Sequence, residues 1–134
     1  MLFVGNSYIY TNELPDVVTM LAASRGVELQ AGVLALPNFA IEDHFRSGDY
    51  QRTIGAGWDW VILQQGPSSL PENREHLRYW TGRAATAARP FGVKVALMSA
   101  WPALPNAFTW LDAELDAIAI AGDQGEFARG RLDK

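Results

Sequence analysis

Two hydrophobic periods alternate along the chain. Leu2-Phe3-Val4 is a short apolar run ended by Gly5. Leu14, Val17, Val18, Leu21 and Ala22 then recur at helical spacing, the stripe of an amphipathic helix that faces a core. Thr11 or Asn12 can cap the start of that helix, and Gly26 its end. A second strand is predicted over Val27–Leu36, closed by Pro37-Asn38, and Ile41–Phe45 has the pattern of one or two helical turns. Trp58–Leu63 (WDWVIL) is the clearest strand, rich in aromatic and β-branched residues. Pro71 and Glu72 open a helix through Leu77, Trp80, Ala84 and Ala88, which Pro90 and Gly92 stop. Val93–Ala100 (VKVALMSA) reads as a fourth strand. A loop with Pro102 and Pro105 leads to a last helix carrying Leu111, Leu115, Ile118 and Ala119, with Thr109 and Asp112 spaced for capping. One domain ends near Gly122, and the tail over 123–134 is polar and without period.

Strands that alternate with helices, without hairpin signals, predict a parallel sheet. With right-handed crossovers the simplest layout is a doubly wound, three-layer α/β/α domain. Ligands of such sheets bind beyond the carboxyl ends of the strands. Three polar loops leave strands there: Gly5-Asn6-Ser7-Tyr8, Pro37-Asn38-Phe39-Ala40, and Gln64-Gln65-Gly66-Pro67-Ser68-Ser69. In the first, Gly5 permits a tight turn and Ser7 stands where a hydroxyl can be exposed, although Asn-Ser is also ordinary turn chemistry.

Composition narrows the function classes. At 134 residues, 49% hydrophobic and 19% charged, the chain has the makings of a folded core rather than a disordered segment. Eleven basic against fifteen acidic residues give a net charge of −4, a poor match to phosphate backbones, so no nucleic-acid partner is expected. No cysteine is present, which excludes disulfides, Cys-ligated zinc and thiol catalysis. No stretch approaches the ~18 apolar residues of a membrane span. The start lacks the basic and long apolar regions of a signal peptide, which leaves a cytoplasmic location as the default expectation. Dinucleotide and phosphate-loop glycine patterns and His-Glu-x-x-His are absent, so no cofactor and no metal are expected. The Gly-x-Ser-x-Gly elbow is absent too, since Tyr8-Ile9 follow Ser7.

Leu2–Tyr8 (LFVGNSY) with Asn12-Glu13-Leu14-Pro15 resembles the first block of the SGNH (GDSL-like) hydrolases, in a branch where Gly-Asn-Ser replaces Gly-Asp-Ser. Ile41-Glu42-Asp43-His44 resembles the Leu-Glu-x-His after the family's second block, and Trp58–Gly66 its third strand and block. The resemblance runs from residue 2 to about residue 101. It implies a flavodoxin-like sheet, order 2-1-3-4-5, and an ester hydrolase acting on carbohydrate or small acetyl or short-acyl esters. Ser7 would be the nucleophile and would also lend its N–H to the oxyanion hole. The second donor, a glycine in the family, falls on Pro37 or Asn38, of which only Asn38 has an N–H. The third, an Asn in the family, falls on Ser68, with Gln64 or Gln65 as alternative amide donors.

The family's C-terminal Asp-x-x-His is not found, because the only histidines are His44 and His76. His44 matches a structural family position. His76 lies in the charged run Glu72–His76 and reads as a solvated helix face, with a substitute base as the alternative. Arg74, Arg78 and Arg83 read as a solvated face, Trp58 and Trp60 as packing, and Trp101 as either packing or a pocket wall. A fifth strand is also missing, so the chain is expected to be truncated or frameshifted and impaired as an enzyme. The alternative is a catalytically incomplete domain that binds a small ligand at the same rim. Strand four would be an exposed edge, inviting self-association.

Overall fold

The computed structural model describes residues 1–66 and 71–98. Four strands, β1 (Leu2–Gly5), β2 (Gly32–Ala35), β3 (Trp60–Gln64) and β4 (Lys94–Met98), form one parallel sheet in the order β2-β1-β3-β4. Between β1 and β2 lie α1 (Ser7–Tyr10) and α2 (Leu14–Ser24). Between β2 and β3 lie α3 (Ile41–Arg46) and α4 (Asp49–Ile54), and α5 (Pro71–Ala88) joins β3 to β4 through a short 3-10 turn. Leaving β1, the chain steps to β2 on one side and returns to β3 on the other. The order therefore reverses at β1, where a doubly wound sheet opens its crevice.

Leu2 and Val4, Val61 and Leu63, and Val95 and Leu97 alternate along their strands and point to one face. Ile41 and Phe45 of α3, Tyr50 and Ile54 of α4, and Leu77, Ala84, Ala85 and Ala88 of α5 cover that face. Three small residues on α5 bring its backbone close to the sheet. Tyr50 is fully buried, stacks on Phe45 at 4.7 Å, and donates its hydroxyl to the Ala84 carbonyl at 3.0 Å. Burial raises the Tyr50 pKa, so this phenol remains a donor. On the opposite face Phe3 of β1 and Ile9 of α1 are buried.

Several sequence expectations shift for identifiable reasons. The second strand is shorter than Val27–Leu36, because a strand extends only as far as its neighbour: Gly32 pairs with Leu2, and the chain start bonds to Gln30. The Val27 N–H is already used, closing the end of α2 on the Ala22 carbonyl next to Gly26 (φ 73). Glu13 in the left-handed region, not Thr11 or Asn12, precedes α2, and no side chain caps it. The α2 stripe is not a core stripe. Only Pro15 is buried, and Leu21 is 63% exposed, because α1 occupies the space over β1 and β2 and α2 rests mainly on α1.

α4 was not expected; its Tyr50/Ile54 pair falls in a polar stretch with Gly48 (φ 77) before it. Trp58 lies just before β3 and is packing, as expected. Its indole N–H donates to the Thr53 carbonyl at 3.0 Å, and its ring fills the space over Gly32. β4 has β3 as its only neighbour among the described residues, so its other side bears on the expected self-association. Ser68, Trp101, the predicted helix over 109–119 and the tail over 123–134 lie outside the described residues. Among the described residues no helix is long and apolar enough to cross a membrane.

Replacing Tyr50 with Phe leaves the Ala84 carbonyl without its donor in a dry site. The expected loss is about 1 kcal/mol of stability, measured by urea unfolding with an unchanged m-value.

Candidate functional site

The carboxyl ends of β1, β2 and β3 meet around one cavity of about 700 Å³, lined by Asn6, Ser7, Asn38, Gln65, Glu72 and His76 among others. Ser7 opens α1 immediately after β1 and is half-buried. The preceding Asn6, 8% exposed, holds the three loops together. Its N–H donates to Gln64 Oε1 at 3.1 Å, reaching β3, and its side-chain amide donates to the Phe39 carbonyl at 3.1 Å, reaching the loop after β2. Its Oδ1 accepts the Tyr8 N–H at 3.2 Å and caps α1. An aspartate at this position would lack the donor to Phe39.

Gly5 makes the first of these bonds possible. A Cβ there would stand 2.6 Å from Gln64 Oε1 and 2.9 Å from the Gln64 carbonyl. His44 is fully buried, and its Nε2–H donates to the Gly5 carbonyl at 2.8 Å. Its role is structural, as expected, and the loop it ties down is the Ser7 loop. Asn38 sits at φ 62, the left-handed conformation that Asn tolerates better than most residues, and lines the cavity. Gln64 is fully buried beneath the loop and does not line the cavity; Gln65 does.

His76 is not part of a solvated face. It projects from the second turn of α5 into the rim, where Nε2 lies 2.6 Å from Glu42 Oε2 and Nδ1 lies 3.2 Å from Gln65 Nε2. The Ile41 N–H donates to Gln65 Oε1 at 3.2 Å, which fixes the orientation of that amide. Gln65 therefore presents an N–H to His76 Nδ1. The imidazole accepts at Nδ1, carries its proton on Nε2, and donates that proton to Glu42. Both ring nitrogens are thus engaged. Hydrogen bonding from His76, and then from Arg46, holds the Glu42 carboxyl below its ordinary pKa. From sequence, Glu42 and His76 are 34 positions apart, and only their shared rim brings them together. Trp60 lies at the far end of β3 with the Lys94 ammonium over its ring, away from the cavity. Among the described residues no cluster of acidic or histidine side chains could hold a metal ion.

Asn6→Asp is expected to cost about 1–3 kcal/mol, because the Phe39 carbonyl loses its donor and faces a carboxylate. Chemical denaturation against the wild type measures it. Glu42 has a folded pKa below its ordinary 4.5, so its pairing with His76 and Arg46 stabilises the fold above that pH. That contribution disappears as the pH falls through the depressed value. Thermal melts of wild type and Glu42→Gln between pH 6 and about pH 3 should therefore converge in acid.

No protein-family model and no curated protein matches the chain. Solved structures do match. One, from Slackia heliotrinireducens and described as "a putative SGNH hydrolase", shares 20% identity at a TM-score of 0.62, over 92% of this chain and 69% of that one. Another, TesA, shares 16% identity at a TM-score of 0.68, over 92% of this chain and 73% of that one. Strand order, crossovers and these likenesses agree: the chain carries the SGNH (GDSL-like) hydrolase fold.

Proposed function

We propose that the chain is a serine ester hydrolase in which Ser7 attacks the acyl carbonyl of an acetyl or short-acyl ester of a carbohydrate or small alcohol. The observation that carries this reading is the convergence of Ser7 and Asn38 on one cavity at the reversal of strand order. The likeness to a solved structure described as an SGNH hydrolase supports the same reading. In this mechanism the Ser7 oxygen adds to the carbonyl carbon and gives its proton to water in the open cavity, and the Ser7 and Asn38 N–H groups take up the charge that develops on the carbonyl oxygen. Collapse of the adduct expels the alcohol with a proton from water, and a second water hydrolyses the acyl-serine to free acid and Ser7. The planar polar side chains of Asn38, Gln65, Glu72 and Asn73 on the cavity wall suit hydroxyl groups of a sugar or polyol.

A second reading, ligand binding without turnover, draws on the two described histidines. His44 is buried on the Gly5 carbonyl, and His76 is engaged at both nitrogens. A serine without an adjacent base is a weak nucleophile.

Intact mass after incubation with a fluorophosphonate separates the two. The hydrolase reading expects a single adduct that is lost in Ser7→Ala. A folded protein that forms no adduct favours the binding reading.

A further inference from the structure

We propose that the cavity beside Ser7 holds a subsite for a positively charged alcohol, formed by the Tyr8 ring and the Glu72 carboxylate. The preferred substrates are then short-acyl esters of amino alcohols or amino sugars. This inference rests on the hydrolase reading above and narrows the alcohol that it takes. Tyr8 directly follows Ser7, lines the cavity and leaves 58% of its surface exposed. An aromatic ring open to the cavity offers a negative face, which attracts an ammonium group. Phe39, from the loop after β2, brings a second ring to the same cavity and packs on His44 at 5.0 Å.

The charges point the same way. Among the described residues no Lys or Arg lines the cavity, whereas Glu72 does. Glu72 is exposed and has no ion-pair partner among the described residues. Glu42, the nearby carboxylate on α3, is already shared by Arg46 and His76, so Glu72 is the acid left to meet a ligand. By sequence, the undescribed residues 67–70 are uncharged and 99–134 are net acidic, so they add no net positive charge. An ester with a phosphate or carboxylate on its alcohol would meet the like charge of Glu72. An acid in the first turn of α5 also suits the helix end. That role bears on stability and not on the choice between two substrates. The proposal adds no covalent step, since the charge on the alcohol takes no part in acyl transfer.

The test compares kcat/KM for acetylcholine and 3,3-dimethylbutyl acetate, which has the same shape with carbon in place of the ammonium nitrogen. The wild type is expected to prefer the charged ester about tenfold, from two contacts each worth a few-fold where water reaches them. Glu72→Gln should lower that ratio about fivefold and Tyr8→Leu about threefold. Each ratio is taken within one variant, so a general loss of activity cancels. Raising the salt from about 0.05 M to about 0.5 M should also shrink the wild-type ratio, because an exposed charge is screened. A wild-type ratio near one, or a ratio that Glu72→Gln leaves unchanged, would overturn the proposal. A ratio indifferent to Tyr8→Leu would overturn the aromatic contact.

A second measurement does not depend on turnover. Choline should shift the ring resonances of Tyr8 in the wild type, 3,3-dimethylbutan-1-ol should shift them less, and Glu72→Gln should abolish the difference. Equal shifts from both alcohols, or none from either, would sink the subsite. A wild type that neither turns over nor forms a Ser7-dependent adduct defeats the hydrolase reading. Choline-selective shifts in that same protein would still uphold the subsite.

Discussion

The site depends on a single asparagine. Asn6 uses its N–H, its amide hydrogens and its amide oxygen on three different segments, and each bond closes a loop that the sheet alone leaves open. A parallel sheet delivers its connections to one rim but does not fix their relative heights. The backbone polar groups of those loops must find partners or face water. By spanning β3, the loop after β2 and the start of α1, Asn6 sets where Ser7 stands relative to Asn38 and Gln65. An asparagine can do this and an aspartate cannot, since one of the three bonds requires a donor.

Around that brace the rim is a chain of paired donors and acceptors. His44 secures the Gly5 carbonyl below, and Gln65, His76 and Glu42 continue the chain across the top to α3 and α5. The charged groups sit at the outer end, where Glu42 is shared by Arg46 and His76. Asn6, Asn38, Gln65 and Asn73 bring neutral amides to the cavity, and exposed Glu72 brings a carboxylate. A site assembled this way has fixed dipoles facing the cavity and keeps its full charges where water can screen them.

The layered fold was legible because strands with an alternating buried face and helices with a buried stripe leave different periods in the sequence. Leu77, Ala84 and Ala88 keep helical spacing, and Val61 and Leu63 keep strand spacing. What failed to show was whatever depends on a neighbour. The length of β2 is set by where β1 begins, and the exposure of Leu21 by the small helix placed beneath it. Ser7 and Asn38 stood out as loop residues with distinctive chemistry. The role of His76 did not, because in the local sequence it sits among Glu72, Arg74 and Glu75 and looks like solvated surface. Its partners come from α3 and from the end of β3, and no spacing rule links positions 42, 65 and 76.

The contact between Gly5 and Gln64 binds two positions into one. A Cβ at position 5 would meet the Gln64 amide oxygen, its backbone carbonyl and its Cβ, so the amide and a side chain at position 5 exclude one another and the backbone carbonyl bars the side chain in any case. A chain that acquired a side chain at position 5 would have to surrender the amide at 64, and with it the acceptor for the Asn6 N–H. The glycine before the serine is therefore an empty space reserved for a neighbouring strand. The missing methyl group is what lets Gln64 bring both its carbonyl and its side-chain amide against the end of β1.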